Sequence, residues 1–425
     1  MNKTISQAKK KLGETRIRGW VYRERGSNIR RFIIIRDGTG ILQCVVEKEK
    51  IPNWSEVEET TIESAVEIEG EVVKDERAPE GYELRAKAFK LLSKAEPFPI
   101  TKDFSTEFLL DVRHLWIRSR ALTTAFRIRA KILEACREFF KAKNYIEVSP
   151  PIITKTSCEG GATQFELNYF GEPAYLSQSA QLYLEALIYS LEKVYSLTPS
   201  FRAEPSKTTR HLSEFWHLEA EAAWLDFEGL INLVEELVSY ICQSVAKNCQ
   251  EDLLFFKRDP KDLLLVKPPF PRMTYAEALK EIAKKGKKIS WGTDLRTIEE
   301  DLLTRDLKKP LIVTHYPKEI KAFYMKEDPK DPKVVLCFDL LAPQGYGELV
   351  GASERETDLE KLKQRLMAAG EKIENYSWYL DLRRYGSVSH SGFGLGVERF
   401  LRWICRLPTI REAIPFPRTI KRVSP

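Results

Sequence analysis

Between Thr15 and Leu92 the chain alternates apolar and polar residues in five short segments, TRIRGWVYRE, RRFIIIRD, GILQCVVE, SAVEIEGEVV and ELRAKAFKLL, separated by Gly, Asp, Asn and Pro. A period of two is that of strands with one buried face. Five strands of this length fit a small barrel, and the turn Asp37-Gly38-Thr39-Gly40 suits an OB-fold, whose open face takes single-stranded nucleic acid. Composition leaves other small barrels open.

Pro97 and Pro99 cannot join a sheet interior, so they read as a hinge. The expected division is a barrel domain at 1–97, a hinge at 98–115 and a second domain at 116–425. The second domain opens with helical periodicity from Ala121 to Ala142, then a strand, YIEVSPPIIT, halted by Pro150 and Pro151. An ordinary amphipathic helix followed by an edge strand would look the same.

Of 425 residues, 68 are basic and 62 acidic, a net charge of only +6, so any contact with nucleic acid must come from local placement of charge. The seven cysteines (44, 136, 158, 242, 249, 337 and 405) contain no C-x-x-C, which argues against a disulfide framework and against a zinc site, and points to a reducing compartment. There is neither an apolar signal core nor an uncharged apolar run of 18 residues, so a cytoplasmic protein without a membrane span is expected. No internal repeat is visible.

Chemistry concentrates in two segments, FRAEPSKTTRHLSEFWHLEAEAAW (201–224) and GFGLGVERF (392–400). The glycines Gly392, Gly394 and Gly396 lie too near the C-terminus for a dinucleotide-binding βαβ unit. Read as a strand followed by a helix from about Val397 to Arg406, they bring backbone close to a flat ligand and present Arg399 from the first turn. A glycine-softened packing contact is the plainer reading of that segment alone.

The two segments resemble motifs 2 and 3 of the class II aminoacyl-tRNA synthetases, in the subgroup specific for aspartate, asparagine and lysine. The helix and strand after the hinge resemble motif 1, through which these enzymes dimerise. The resemblance spans about Thr15 to Pro425. It implies an α+β protein: an N-terminal OB-fold β-barrel that binds the anticodon, then a catalytic domain built on an antiparallel β-sheet flanked by helices, acting as a homodimer with ATP and Mg2+.

The resemblance also assigns residues. Arg202 and Arg399 are the expected catalytic groups, Arg202 holding the ATP α-phosphate and the reacting carboxylate. Glu204 would meet the adenine amino group, Phe215 would stack on the ring, and Arg210 and His211 would join Arg399 on the outer phosphates. Guanidinium matches phosphate oxygens bidentately and never loses its charge. Asp339 and Glu348, in CFDLLAPQGYGELVGASERE, align with the carboxylates that hold magnesium, although the PQGYG connection is longer than in many relatives. Glu159 and Gln181 would bind the substrate α-amino group and Arg355 its side-chain oxygen, with Gly160 and Gly161 hinging a closing loop. In the barrel, Phe32 would stack on the central anticodon base, Gln43 would hydrogen-bond it, and Arg25 would meet a phosphate or base. The segment from Asp75 to Gly81 would lie near the first anticodon base, with no residue assigned. In isolation His211 would be a surface histidine, Phe215 and Phe32 core residues, and the acidic pair solvated.

Charge selects among amino acids. Where aspartate-specific relatives carry a lysine three residues after the pocket glutamine, this chain has Leu184, and where they place a supporting aspartate it has Glu219. A pocket carboxylate accepts from an amide but repels a carboxylate; at ~4 Å and an effective dielectric of ~20 the repulsion is about 4 kcal/mol. The competing reading of Glu219 is a strand residue paired with a neighbouring arginine. The resemblance therefore implies an asparaginyl-tRNA synthetase of the archaeal and eukaryotic type, acting on asparagine, ATP and tRNA(Asn), with neither DNA nor membrane as a partner. The alternatives are an aspartyl-tRNA synthetase, possibly non-discriminating, a tRNA-independent asparagine synthetase, and a non-catalytic RNA-binding regulator.

Overall fold

The computed structural model describes residues 3–101, 104–158, 164–205 and 210–425. Contacts divide the chain into two compact units, Met1–Leu115 and Trp116–Pro425.

The first unit is a closed barrel of β1 (Gly13–Gly26), β2 (Arg30–Asp37), β3 (Gly40–Glu47), β4 (Ala65–Lys74) and β5 (Tyr82–Ser93), in the order β1-β2-β3-β5-β4. The neighbours pair antiparallel except β3 and β5, which close the barrel in parallel. The ambiguous run FIII resolves by strand alternation: Ile33 and Ile35 are buried in the barrel core, while Phe32 and Ile34 are only half-buried. A short helix not expected from the sequence, α1 (Ile5–Lys10), precedes the barrel. Its signal is a capping box, Thr4 with Gln7 three residues on. Asp37 joins helix to barrel, accepting from the Thr39 and Gly40 amides through Oδ1 (2.7 and 3.1 Å) and from the Ile5 amide through Oδ2 (2.7 Å). Within the expected hinge lies a short helix, Thr106–Asp111, and a second, Arg113–Trp116, runs one residue past its end.

The second unit is built on an eight-stranded sheet. Its strands are β6 (Ile146–Glu147), β7 (Lys193–Phe201), β8 (Glu214–Ala223), β9 (Arg272–Thr274), β10 (Leu311–Thr314), β11 (Cys337–Ala342), β12 (Gly347–Glu354) and β13 (His390–Gly396). They lie in the order β9-β10-β11-β12-β13-β8-β7-β6. The centre is antiparallel as expected, but the edge pairs β6/β7 and β9/β10 are parallel, so the sheet is mixed. The strand anticipated through YIEVSPPIIT contributes only Ile146–Glu147 to this sheet, stopping before the two prolines.

The two faces of the sheet differ completely. Leu218, Ala220, Phe338, Leu340, Val350, Ala352, Phe393 and Leu395 form one core with residues of α2 (Arg120–Ala142) and α4 (Phe227–Asn248); α3 (Gln181–Leu191) lies between these two helices in the chain. Helix α2 begins one residue before the predicted Ala121 because Ser119 caps it, its hydroxyl accepting from the Leu122 amide. The alternate residues face the other way: Leu311, Val313, Cys337 and Leu341 pack a second apolar core, and Phe215, His217, Glu219, Glu221 and Asp339 carry the chemistry. All seven cysteines are buried and free. Among the described residues no helix is long and apolar enough to cross a membrane.

Candidate active site

Strand register assembles the polar face. Phe215, His217, Glu219 and Glu221 alternate along β8, and the last three stand opposite Gly396, Gly394 and Gly392 of β13. Across β13, Gly394 and Gly392 oppose Gly351 and Ser353 of β12, and Gly351 in turn opposes Asp339 of β11. The glycines make room for their neighbours. A Cβ on Gly392 would lie 2.0 Å from the Glu221 carboxylate and 2.4 Å from the Ala220 carbonyl, and one on Gly394 would lie 2.5 Å from His217 Nε2.

One cavity on this face is lined by Arg202, Glu204, Arg210, His211, Phe215, Glu348 and Arg399, which are all seven residues expected at a nucleotide. Arg202 lies over the Phe215 ring, 5.4 Å from its centroid. Arg399 projects from the first turn of a helix at Val397–Cys405, and its Nη1 donates to Glu348 Oε2 at 3.0 Å. That helix ends one residue before the expected Arg406, which turns left-handed at φ 52° and closes it. Arg210 donates to Glu300 Oε2 at 3.0 Å and to the Gly345 carbonyl. Burial, then the charge of Arg399, lowers the pKa of His211, keeping its imidazole neutral near pH 7.

The longer connection between Asp339 and Glu348 is resolved by a β-bulge. Leu340 opposes Val350 while Leu341 opposes Glu348, so Leu349 is the extra residue and Glu348 turns onto the face that carries Asp339. Lys321, which the sequence did not bring forward, donates to both oxygens of Asp339 at 3.1 and 2.9 Å. Burial and the Glu348 charge push Glu300 up to about 7, and the same causes raise Asp294. Burial and the Glu348 charge also raise Asp339, to about 6 against the pull of Lys321, whereas in Glu348 itself burial is outweighed by the charges of Arg399, Lys321 and Arg202 and the pKa is lowered. Among the described residues no three potential ligands form a ready-made cage. Two hard carboxylate oxygens with the remaining positions left to phosphates and water are nonetheless what Mg2+ takes.

Further along β8 lies a buried charged pocket. Glu219 accepts from the Ser179 hydroxyl and from the Ala180 amide (2.9 Å). The glutamate that pairs with an arginine is Glu221, which accepts from Nε and Nη2 of Arg355, while Arg355 Nη1 donates to Ser353 Oγ at 2.6 Å. Gln181 donates to Glu185 Oε1 at 2.9 Å. Burial pushes Glu221 up to about 8, with Arg355 opposing and Glu185 and Glu219 adding to the shift. Leu184 is fully buried with Ala180, Ile188, Val194 and Ala223, so no cation stands at its position. Glu159, with Gly160 and Gly161, lies outside the described residues.

In the barrel unit, Arg25, Phe32 and Gln43 line one cavity together with Asp75, Arg77 and Glu83. Arg25 lies over the Phe32 ring at 5.4 Å. Gln43 is buried, its Nε2 donates to Glu83 Oε2 at 3.4 Å, and its Oε1 has no partner among the described residues. An acceptor beside an aromatic face suits a base that offers an N–H.

Residues 105–420 match the model of the tRNA synthetases class II (D, K and N), and residues 15–92 match that of the OB-fold nucleic acid binding domain. The asparagine–tRNA ligase of Thermococcus kodakarensis is 50% identical over 414 residues, 97% of this chain and 96% of that protein. The chain belongs to the asparagine–tRNA ligase family of class II tRNA synthetases. The crystal structure of asparaginyl-tRNA synthetase from Pyrococcus horikoshii complexed with asparaginyl-adenylate is 48% identical, with a TM-score of 0.93 over 97% of this chain and 96% of that one. The Entamoeba histolytica asparaginyl-tRNA synthetase in complex with asparaginyl-adenylate is 34% identical, with a TM-score of 0.91 and complete coverage of both chains.

In this synthetase the glycines of GFGLG are required by the side chains they face. Gly392→Ala should destabilise the fold by about 1 to 3 kcal/mol, since backbone as well as Glu221 must move. A calorimetric melt checks this, and an unchanged midpoint would contradict it.

Proposed function

We infer that this synthetase condenses asparagine with ATP to asparaginyl-adenylate and pyrophosphate, then passes the asparaginyl group to the 3′ end of tRNA(Asn). The observation that carries the reading is the convergence of seven nucleotide candidates on one cavity, beside a pocket crowded with carboxylates along the same strand.

The α-carboxylate must attack a phosphorus that already bears negative charge, so positioning and charge stabilisation do most of the work. Arg202 would hold the α-phosphate and the attacking carboxylate, with Phe215 beneath the adenine and Glu204 at its amino group. Arg210, His211 and Arg399 would take the outer phosphates. Binding ATP then requires Arg399 to exchange Glu348, and Arg210 to exchange Glu300, for phosphate oxygens. Asp339 and Glu348 would hold Mg2+, which neutralises charge on the phosphates. Gln181, with Glu159, would bind the α-amino group, while Arg355 and Glu219 would read the side-chain amide. Glu219 can accept from an amide NH2, whereas an aspartate would bring a further negative charge against Glu219.

We place the domain limits at 1–97, 98–115 and 116–425, the protein in the cytoplasm, and the active form as a homodimer. The exposed Ile146 on the edge strand of the sheet, with Ile152 and Ile153 exposed just after it in sequence, supports the last. Charging tRNA(Asn) with asparagine in vitro tests the reading; no charging by purified enzyme with ATP and Mg2+ would contradict it.

The barrel assignment has its own test. Gln43→Ala or Phe32→Ala should lower the rate of tRNA charging about tenfold, the worth of a contact to one base, and leave asparagine activation without tRNA within about twofold. A parallel loss of both activities would count against it.

A further inference from the structure

Behind the amino-acid pocket lies a charged cluster that the reaction above does not use. Its centre is Glu185 on α3, which is wholly buried. Glu185 Oε2 accepts from the Tyr379 hydroxyl at 2.7 Å, from Arg383 Nη2 at 2.7 Å and from His390 Nε2 at 3.0 Å. Oε1 accepts from Gln181 at 2.9 Å and lies 4.0 Å from Arg355 Nε. His390 Nδ1 faces the Val388 carbonyl at 2.8 Å.

The two arginines of the cluster are each paired in place, Arg383 with Glu185 and Arg355 with Glu221, and Glu185 also lies close to Arg355. A substrate carboxylate entering beside Arg355 would find no unpaired positive charge and would meet buried glutamates. An amide needs no counter-ion. We propose that Glu185 is a specificity-determining residue, its carboxylate occupying the positive charge behind the pocket so that an amide side chain is admitted and a carboxylate side chain refused. Glu185 also holds the Gln181 amide, which couples the same group to substrate positioning. The proposal rests on the reading of this pocket as the site of asparagine activation.

The test is ATP–pyrophosphate exchange without tRNA, with asparagine and with aspartate, in the full-length enzyme and in Glu185→Gln. The variant keeps the shape and removes one negative charge. A unit charge at ~8 Å and an effective dielectric of ~20 corresponds to about thirtyfold, so the asparagine-to-aspartate ratio of kcat/KM should fall by at least tenfold. Arg383→Met, which removes a cation and leaves Glu185 less compensated, should raise the ratio. The double variant should return it toward the wild-type value. A loss of both activities in equal proportion would assign Glu185 a packing role only and overturn the proposal, as would a ratio within twofold of wild type. Should Glu185→Gln melt below the assay temperature, Arg383→Met and the double variant carry the test, and an unchanged ratio in Arg383→Met overturns it. Failure of the underlying reading looks different: the wild-type enzyme itself would not exchange with asparagine.

Discussion

Arg399→Ala is expected to cut asparagine-dependent ATP–pyrophosphate exchange by about 10²- to 10³-fold, the usual cost of removing one donor aimed at developing transition-state charge. The side chain stands in the nucleotide cavity, and its pairing with Glu348 is one that ATP would replace. At 31% exposure its removal opens no core cavity, so the melting temperature should stay close to that of the wild type. Binding of tRNA, read by filter retention or anisotropy, should be preserved, because the proposed anticodon face belongs to the barrel. Arg399→Lys should recover only part of the rate, since an ammonium cannot match two phosphate oxygens as a planar fork does. Full activity in Arg399→Ala would remove it from the mechanism.

Arg355→Met acts on stability and catalysis together. Arg355 and Glu221 form a pair with almost no exposure, and deleting one partner of such a pair costs about 3 to 5 kcal/mol. For a unit of this size that corresponds to a fall in melting temperature of roughly 6 to 20 °C. The cost should depend on pH. Glu221 already stands at about 8 with Arg355 pulling it down, so without Arg355 it binds a proton more tightly still. The unfolded chain binds that proton near the ordinary carboxylate value of 4.5. A group whose folded pKa is raised stabilises below the unfolded value and loses that contribution as pH rises. Up to about pH 8 Glu221 is protonated in both folded proteins and both lose stability alike, so the deficit should be constant there and grow only above pH 8, by up to about 1.4 kcal/mol per pH unit, where the wild type can ionise Glu221 beside Arg355 and the variant cannot. Chemical denaturation at pH 7 and pH 10 measures this. An equal deficit at both values would mean that Glu221 does not titrate differently in the two folded proteins. Arg355→Met/Glu221→Met should regain part of the stability, and exchange activity should be absent from both variants.

The legible parts of this chain were those in which residues near in sequence act together. Strand alternation marked all five barrel strands, and helical periodicity gave α2 to within a residue, the Ser119 cap lying outside the periodic stretch. The segment from Arg202 to Phe215 could be read by resemblance because residues close together in sequence line a single cavity. What stayed hidden depends on pairing between distant elements. Glu221 meets Arg355 across 134 positions, Glu185 meets Arg383 across 198, and nothing in the local pattern distinguishes those carboxylates from Glu219. Lys321 was invisible for the same reason. The bulge at Leu349, which turns Glu348 toward Asp339, follows from strand register and not from residue type. Strand β6 was overestimated because an apolar run before two prolines shows where a strand must end but not how much of it finds a partner.

The central claim is that this active site activates asparagine and refuses aspartate, and ATP–pyrophosphate exchange without tRNA tests it most directly. The account predicts exchange with asparagine and at least a hundredfold less with aspartate, about what ~3 kcal/mol of repulsion at Glu219 and its neighbours would give. Exchange with aspartate equal to or above that with asparagine would contradict it.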